Sequence, residues 1–264
     1  LKKQQGIPTV PKERRIRPIH IWQSAAAILF LLLASSVYLS TVGTKAETDL
    51  LQQYIPIAEM RSLTLPDGTK VQLNSKSTLL YPQEFTGDSR SVFLLGEANF
   101  KVKPDKKRPF IVKSNDLQIT ALGTEFNVSA YPESQEIATT LISGSIRVDY
   151  NNLTTSVILH PNEQFAYNRN NKKYDLSNPD MDDVTAWQRG ELVLQKMTLT
   201  DIINVLERKY PYAFVYSIKN LKNDRFSFRF KDNAPLEEVM EIIVNVVGQM
   251  DYRIVEDKCY LTRI

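Results

Sequence analysis

Three carboxylates are the side chains of this chain best suited to chemistry. Glu97, Glu125 and Glu163 stand in a region rich in short alternating runs. A pair of carboxyl groups roughly 5–10 Å apart can hydrolyse a glycosidic bond, one acting as acid and the other as base or nucleophile. One hypothesis is therefore a membrane-tethered hydrolase of envelope polysaccharide. Carboxylates in such runs are more often solvated or bonded to turns, and that interpretation is favoured.

Histidine and cysteine are too scarce for most other catalytic machinery. The 264 residues include His20, His160 and the single cysteine Cys259. This excludes a disulfide framework within the chain and a zinc cluster with the usual ligand number. His160 precedes Pro161 and is interpreted as a turn residue, and Cys259 as a buried small hydrophobe. The sequence predicts no catalytic, cofactor or metal site, and hence a protein that is not an enzyme.

The net charge of +3 is unevenly distributed along the chain. Residues 1–20 hold six basic and one acidic side chain, and the remaining residues hold 27 basic and 29 acidic ones. The balance is thus +5 in the leader and −2 in the body. A protein that grips a phosphate backbone needs a basic domain. We therefore expect no nucleic-acid partner for the body.

Residues 21–42 form an uncharged, mostly apolar run. This run is long enough for one membrane crossing. The basic excess before this run predicts a cytoplasmic amino end, with the rest of the chain exported. A secretory signal peptide cleaved near 44–46 is the alternative, but the apolar run is long for one. We expect a cytoplasmic basic tether over 1–20, truncated because it begins at Leu1, a transmembrane helix over 21–42, and a juxtamembrane linker over 43–60. The lipid bilayer is then a partner.

From residue 61 to 183 apolar side chains recur with period two, separated by turn residues. Leu63 and Leu65 alternate before the turn Pro66–Gly68, for example. Lone glycines such as Gly96 and Gly123 lie in no phosphate-binding pattern and are interpreted as bends where a neighbouring strand approaches closely. This segment is predicted to be an all-β domain, either a sandwich, a barrel or a solenoid.

In residues 184–264 the spacing of apolar residues changes from the period of a strand to that of a helix. Two apolar faces with the spacing i, i+3, i+4, i+7 begin at Leu199 and Leu236, 37 residues apart. Thr198 or Thr200 can cap the first helix, and Gly248 can end the second. Short strand-like runs flank both helices, at 191–195, 213–216, 225–230, 252–255 and 259–262. The prediction is a small α+β domain of two βαβ units, packed as one sheet with both helices on one face, in a mostly β protein.

One of these strands is a candidate partner-binding element. It alternates polar and aromatic side chains: Arg225, Phe226, Ser227, Phe228, Arg229 and Phe230. At the edge of a sheet such a strand could accept another strand from a partner protein. The alternative, a strand in the interior of the sheet, is favoured.

The ordered motifs of the chain resemble the FecR family, the transmembrane anti-sigma regulators of cell-surface signalling, in a form typical of Bacteroidetes. The resemblance is carried by Arg61–Asn74, Tyr81–Pro82, Val92–Val102, Arg108–Val112, Leu122–Tyr131, Thr139–Val148, Pro161–Gln164 and Ala186–Trp187. It assigns structural motif positions to Asp67, Gly68, Gly96, Glu97, Gly123, Thr124, Phe126, Gly144 and Trp187. Residues 190–264 are similar to the small STN fold found at the amino ends of secretins and TonB-dependent receptors.

The resemblance implies a signalling relay at the inner membrane. In this family the signalling domain of a TonB-dependent outer-membrane receptor contacts the periplasmic part, and an extracytoplasmic-function sigma factor is controlled on the cytoplasmic side. Relatives carry several dozen helical residues before the span, whereas about twenty precede it here. The resemblance therefore supports the receptor contact more directly than the sigma-factor contact. A passive envelope-binding scaffold is the third hypothesis.

Overall fold

The structure is a computed structural model that describes residues 18–42, 49–217, 224–232 and 234–263, and within the first range the side chains of 26–38. It divides into two compact units, Leu1–Thr48 and Asp49–Ile264. The first unit contains helix α1, Pro18–Val42, and the side chains described there are exposed. Within these described ranges, no helix is long and apolar enough to cross a membrane. The span at 21–42 stays a prediction, and residues 1–17 of the tether lie outside the described residues.

Thirteen strands form one sheet in the first part of the second unit, in agreement with the predicted all-β domain. The strands are β1 Leu50–Tyr54, β2 Arg61–Thr64, β3 Lys70–Leu73, β4 Thr78–Pro82, β5 Arg90–Lys101, β6 Phe110–Ser114, β7 Leu117–Ala121, β8 Glu125–Ala130, β9 Glu136–Ser143, β10 Ile146–Tyr150, β11 Thr155–Leu159, β12 Gln164–Asn168 and β13 Tyr174–Ser177. We refer to this part, residues 49–177, as the β domain.

The sheet curls because β5 belongs to both of its halves. The first half of β5 pairs with β4 and β6, and its second half pairs with β3 and β8. Both halves contribute side chains to one apolar core, including Val92, Phe110, Phe100 and Phe126. The rings of Phe100 and Phe126 stack with centroids 5.4 Å apart. Two sheet halves that enclose a common core are closer to the predicted sandwich than to a solenoid.

The predicted linker over 43–60 contains a strand and a core residue. Strand β1 pairs antiparallel with β4, from Leu50 opposite Pro82 to Tyr54 opposite Thr78, and Ile55 is fully buried. The β domain therefore begins before residue 61. The sequence did not predict β1 because this edge strand shows no alternation of apolar and polar residues. Its two leucines are consecutive, and both are exposed.

The C-terminal domain, residues 190–263, has the predicted elements but a different sheet arrangement. Its strands are β14 Leu192–Thr198, β15 Ala213–Val215, β16 Arg225–Phe230, β17 Met250–Val255 and β18 Lys258–Arg263, and its helices are α3 Leu199–Lys209 and α4 Leu236–Val247. β14 pairs with β16, while β15, β18 and β17 form a second sheet. The predicted single sheet is therefore wrong. Periodicity identifies a strand and its buried face, whereas pairing partners are set by contacts that are distant in sequence.

Both helices and both small sheets share one core. It includes Leu194, Ile203, Val239 and Cys259, so the cysteine is buried as predicted. Burial and the nearby Glu237 raise the pKa of the Cys259 thiol to about 11. A thiol that stays protonated at neutral pH is a weak nucleophile, and Cys259 is therefore a packing residue.

Helix α3 begins with a side-chain cap. Thr198 Oγ1 accepts a hydrogen bond from the Asp201 amide at 3.2 Å and donates one to Asp201 Oδ2 at 2.6 Å. We expect Thr198→Ala to lower the free energy of unfolding by about 0.5–2 kcal/mol, because an orphan amide loses its acceptor. Urea denaturation of the purified protein measures this. Thr200→Ala, in the same first turn but without the capping role, is the control, and equal losses in both variants would contradict the assignment.

Candidate functional site

Glu97 is the centre of a polar network on the outward side of the β domain. Its Oε2 accepts a hydrogen bond from Asn74 Nδ2 at 2.8 Å, and its Oε1 accepts one from Asn127 Nδ2 at 3.0 Å. Burial raises the pKa of the Glu97 carboxyl above its usual value, while these two hydrogen bonds and the positive charge of Arg208 act in the opposite direction. The carboxylate thus links β5 to β8 and to the residue that follows β3.

The other two candidate carboxylates are held by different neighbours. Glu125 forms an ion pair with Lys101 at 3.3 Å. Lys101 lies opposite Glu125 in the sheet, four positions along β5 from Glu97. Four positions in a strand correspond to about 13 Å. This exceeds the separation of catalytic carboxyl pairs in glycosidases.

Glu163 belongs to a turn. Its Oε2 accepts a hydrogen bond from the His160 amide at 2.8 Å, which lowers the pKa of this carboxyl. The His160 ring nitrogen Nδ1 lies 3.3 Å from the same oxygen. Both residues thus have the turn role that the sequence favoured. Among the residues that the structure describes, no group of three or more His, Cys, Asp or Glu side chains could hold a metal ion.

Asp67 binds a buried arginine that the sequence analysis did not identify. Asp67 Oδ2 lies 2.7 Å from Arg90 Nη1, and both side chains are almost entirely buried. Asp67 also accepts hydrogen bonds from the amide and the hydroxyl of Thr69, at 2.9 and 2.7 Å. Motif position 67 therefore joins the turn after β2 to the start of β5.

The other motif positions in the β domain have backbone or packing roles. Phe126 is in the core, and Thr124 is buried in contact range of position 144. The four glycines Gly68, Gly96, Gly123 and Gly144 all have positive φ. None of these residues presents a functional group to solvent as a binding site would.

Trp187 connects the last motif to the Glu97 network. It lies on a 3-10 helix, Ala186–Arg189, which follows the short helix α2, Met181–Thr185. Trp187 Nε1 donates a hydrogen bond to Asn127 Oδ1 at 3.3 Å. Asn127 therefore bridges Glu97 and Trp187, two motif residues that are 90 positions apart in the sequence.

Arg208, in the last turn of α3, is a second contact with the β domain. Its guanidinium lies 3.8 Å from the centre of the Tyr131 ring, and its Nη1 lies 2.7 Å from Glu133 Oε1. Its main-chain carbonyl accepts a hydrogen bond from the Ala58 amide at 3.0 Å. Burial raises the pKa of Tyr131, whose hydroxyl donates to the Ser75 carbonyl at 2.9 Å. No local pattern indicated this contact, since basic residues are common at helix carboxyl ends.

The candidate strand β16 lies at the edge of a sheet. It pairs with β14 and, in the described parts of the chain, with no other strand. The favoured interpretation of an interior strand is therefore wrong. The pairing partner of a strand depends on distant contacts, which the alternation within one strand does not encode.

The two sides of β16 differ as the alternation predicted. Phe226, Phe228 and Phe230 pack toward the core with neighbouring ring centroids 6.3 and 5.9 Å apart. Arg225, Ser227 and Arg229 are exposed. Arg229 contacts three carboxylates at 2.5–2.9 Å. Two of them, Asp182 and Asp183, lie on α2, and the third, Glu191, directly precedes β14.

Comparison with known proteins gives consistent matches over both domains. Residues 55–147 match the family described as FecR protein, and residues 191–261 match the one described as FecR, C-terminal. The predicted likeness to the STN fold stays a prediction. No curated protein matches the chain.

Two crystal structures of proposed anti-sigma factors from Parabacteroides distasonis ATCC 8503 are similar to this chain over almost its whole described length. The one at 2.50 Å resolution is 34% identical, with a TM-score of 0.77 over 82% of this chain and 100% of that chain. The one at 1.65 Å is also 34% identical, with a TM-score of 0.76 over 81% of this chain and 99% of that chain. The likeness thus extends through the β domain and the C-terminal domain together.

Proposed function

The chain belongs to the FecR family, and on this premise we propose that it is a membrane-anchored anti-sigma regulator with an exported receiving part. In this proposal the signalling domain of a TonB-dependent outer-membrane receptor binds the C-terminal domain in the periplasm. An extracytoplasmic-function sigma factor is controlled on the cytoplasmic side of the inner membrane. The likeness to proposed anti-sigma factors supports the regulatory role.

The open edge of β16 is the observation that carries the receptor contact. An edge strand presents unpaired main-chain donors and acceptors to a partner strand, and such pairing is a recurring mode of peptide recognition. The exposed Arg225 and Arg229 add positive charge beside that edge. We therefore expect a bound partner to extend the β14–β16 sheet.

Hydrogen exchange of the unmodified protein tests this contact. On addition of the signalling domain of a co-encoded receptor, we expect slower exchange of those amides in 225–230 that face away from β14, because the added strand accepts hydrogen bonds from them. The amides of β13, an edge strand of the β domain, should be unaffected. Binding without protection of 225–230, or no binding by a folded ectodomain, would contradict the proposal.

A proline variant gives an independent measure of the same contact. Ser227→Pro removes one amide of β16 and is expected to weaken receptor binding at least about tenfold. Asp175→Pro places the same change on the exposed edge strand β13 and should leave binding unchanged. Circular dichroism verifies that both variants are folded.

Deletion of the gene separates regulation from the two other hypotheses. A regulator predicts that transcription of a small set of genes changes, whereas a passive scaffold predicts no change. A carboxylate hydrolase predicts that neutralising Glu97, Glu125 or Glu163 abolishes a measurable turnover while the protein stays folded. The separation of Glu97 from Glu125 along the strands is too large for these two carboxylates to act as the catalytic pair.

A further inference from the structure

We propose that the C-terminal domain separates from the β domain as a folded unit at a polar junction, and that Trp187 and Arg208 hold this junction closed. The segment Met181–Arg189, which we name the strap, moves with the C-terminal domain in this opening. The step is a conformational device of the exported part and does not depend on which protein binds β16.

The two domains have complete and separate apolar cores. One core is built from strands of the β domain, including Phe100, Phe126 and Phe165. The other is built from α3, α4 and the small sheets, including Ile202, Val239 and Leu261. Among the residues that the structure describes, none belongs to both clusters. Separation at the junction therefore leaves the burial that stabilises each domain in place.

The junction itself is polar. Asn99 and Asn127 lie opposite each other on β5 and β8, on the side of the sheet facing away from the core, yet they are only 6% and 5% exposed. The Nδ2 of Asn99 is buried without a hydrogen-bond partner in the described part of the chain. A buried donor in this condition opposes closure, and opening would hydrate it. We therefore expect the junction to open before either core.

The strap is bound more strongly to the C-terminal domain than to the β domain. Arg229 of β16 contacts Asp182 and Asp183 of the strap, and Gln195 Nε2 donates to Asp183 Oδ2 at 3.0 Å. Toward the β domain, Trp187 donates a neutral hydrogen bond of 3.3 Å. Each ion pair is partly exposed and therefore weak alone, but together with the Gln195 bond they give the strap more polar contacts with the C-terminal domain than with the β domain. The strap therefore follows the C-terminal domain when the junction opens.

The hinge lies just before the strap. Asn178 Nδ2 donates to the Asn162 carbonyl at 3.1 Å and remains with the β domain. Asp180 caps α2 by accepting a hydrogen bond from the Asp182 amide at 2.9 Å, and it remains with the strap. The backbone rotation that opens the junction then falls on the ψ angles of Asn178 and Pro179 and on the φ angle of Asp180, because the ring of Pro179 fixes its own φ.

Hydrogen exchange of the full chain tests the opening. In Arg208→Ala, we expect peptides that contain Ala58 or residues 186–189 to exchange at least about tenfold faster, because an ion pair and a stacked ring contact are lost. In Trp187→Phe, which removes the indole donor and keeps an aromatic ring, the increase should be a few-fold. Peptides from β7 and from α4 should exchange at the wild-type rate.

Arg253→Ala is the matched control. Arg253 also lies over a tyrosine, with its guanidinium 5.7 Å from the Tyr260 ring, but both residues belong to the C-terminal domain. This change should leave exchange at the junction unaltered. Unchanged junction exchange in Arg208→Ala, or an equal increase in both cores, would overturn the proposal.

The wild-type protein supplies a second measurement if a variant does not fold. In low concentrations of urea, amides at the junction should exchange through an opening that precedes exposure of either core. If the junction and both cores exchange together at all urea concentrations, the proposed opening does not occur.

Discussion

Replacing Asp67 by alanine is expected to lower the free energy of unfolding by about 3–5 kcal/mol, because it leaves the Arg90 guanidinium buried without its counter-charge. The Asp67 and Arg90 side chains are 4% and 1% exposed, so water cannot replace the lost carboxylate without a rearrangement. Urea denaturation with an unchanged slope measures the loss.

The remaining contacts of Arg90 cannot compensate for the loss of Asp67. Its Nη1 donates to the Lys103 carbonyl at 2.8 Å and its Nε to the Arg108 carbonyl at 2.9 Å, while Nη2 has no hydrogen-bond partner among the described residues. These carbonyls orient the guanidinium but carry no net negative charge. The penalty of a buried, unpaired charge therefore exceeds what the neutral hydrogen bonds return.

Two further variants make the Asp67 prediction specific. Glu59→Ala breaks an ion pair with Arg61 in which both side chains are about half exposed, and it should change stability by about 0–1 kcal/mol. The double change Asp67→Ala/Arg90→Met should recover part of the loss, since it removes the unpaired charge. If Asp67→Ala and Glu59→Ala destabilise equally, the buried pair does not have the assigned role.

The burial of Arg90 was partly readable in the sequence. Arg90 is separated by an even number of positions from the core residues of β5, namely Val92, Leu94, Ala98 and Phe100, and therefore lies on the same side of the sheet. Alternation alone therefore places it inside. The general rarity of buried arginine argues against that placement, and only the structure shows the carboxylate that makes it stable.

The polar junction was beyond the reach of local patterns. Asn99 and Asn127 occupy the strand positions that alternate with core residues, so their side chains are predicted to be exposed. Both are buried nonetheless. Trp187, which bonds to Asn127, is 60 positions away. Element types and buried faces follow from periodicity, whereas the docking of one domain on another depends on contacts between surfaces that sequence spacing does not bring together.

Replacing Gly96 by alanine is expected to destabilise the protein by about 2–5 kcal/mol, the sum of backbone strain and overpacking. Gly96 has φ +105°, a conformation that residues with a Cβ rarely adopt, and a Cβ there would lie 2.7 Å from Ser77 Cα. The obstacle includes the backbone of the adjacent segment at Ser77, which cannot move aside by rotating a side chain. Chemical denaturation of the purified variant measures the effect.

The position of Gly96 explains why the chain cannot relax around an added methyl group. β5 changes from the β4–β6 half of the sheet to the β3–β8 half at this residue, and Ser77 Oγ accepts a hydrogen bond from the next amide, Glu97, at 2.9 Å. Moving Ser77 away would break that bond and displace the start of β4. Gly87→Ala is the control, since its φ is not positive and a Cβ there meets no atom within 4 Å. That variant should be neutral or more stable by about 0.4–1 kcal/mol. A Gly96→Ala variant as stable as Gly87→Ala would show that the close approach of Ser77 does not constrain this crossing of the sheet.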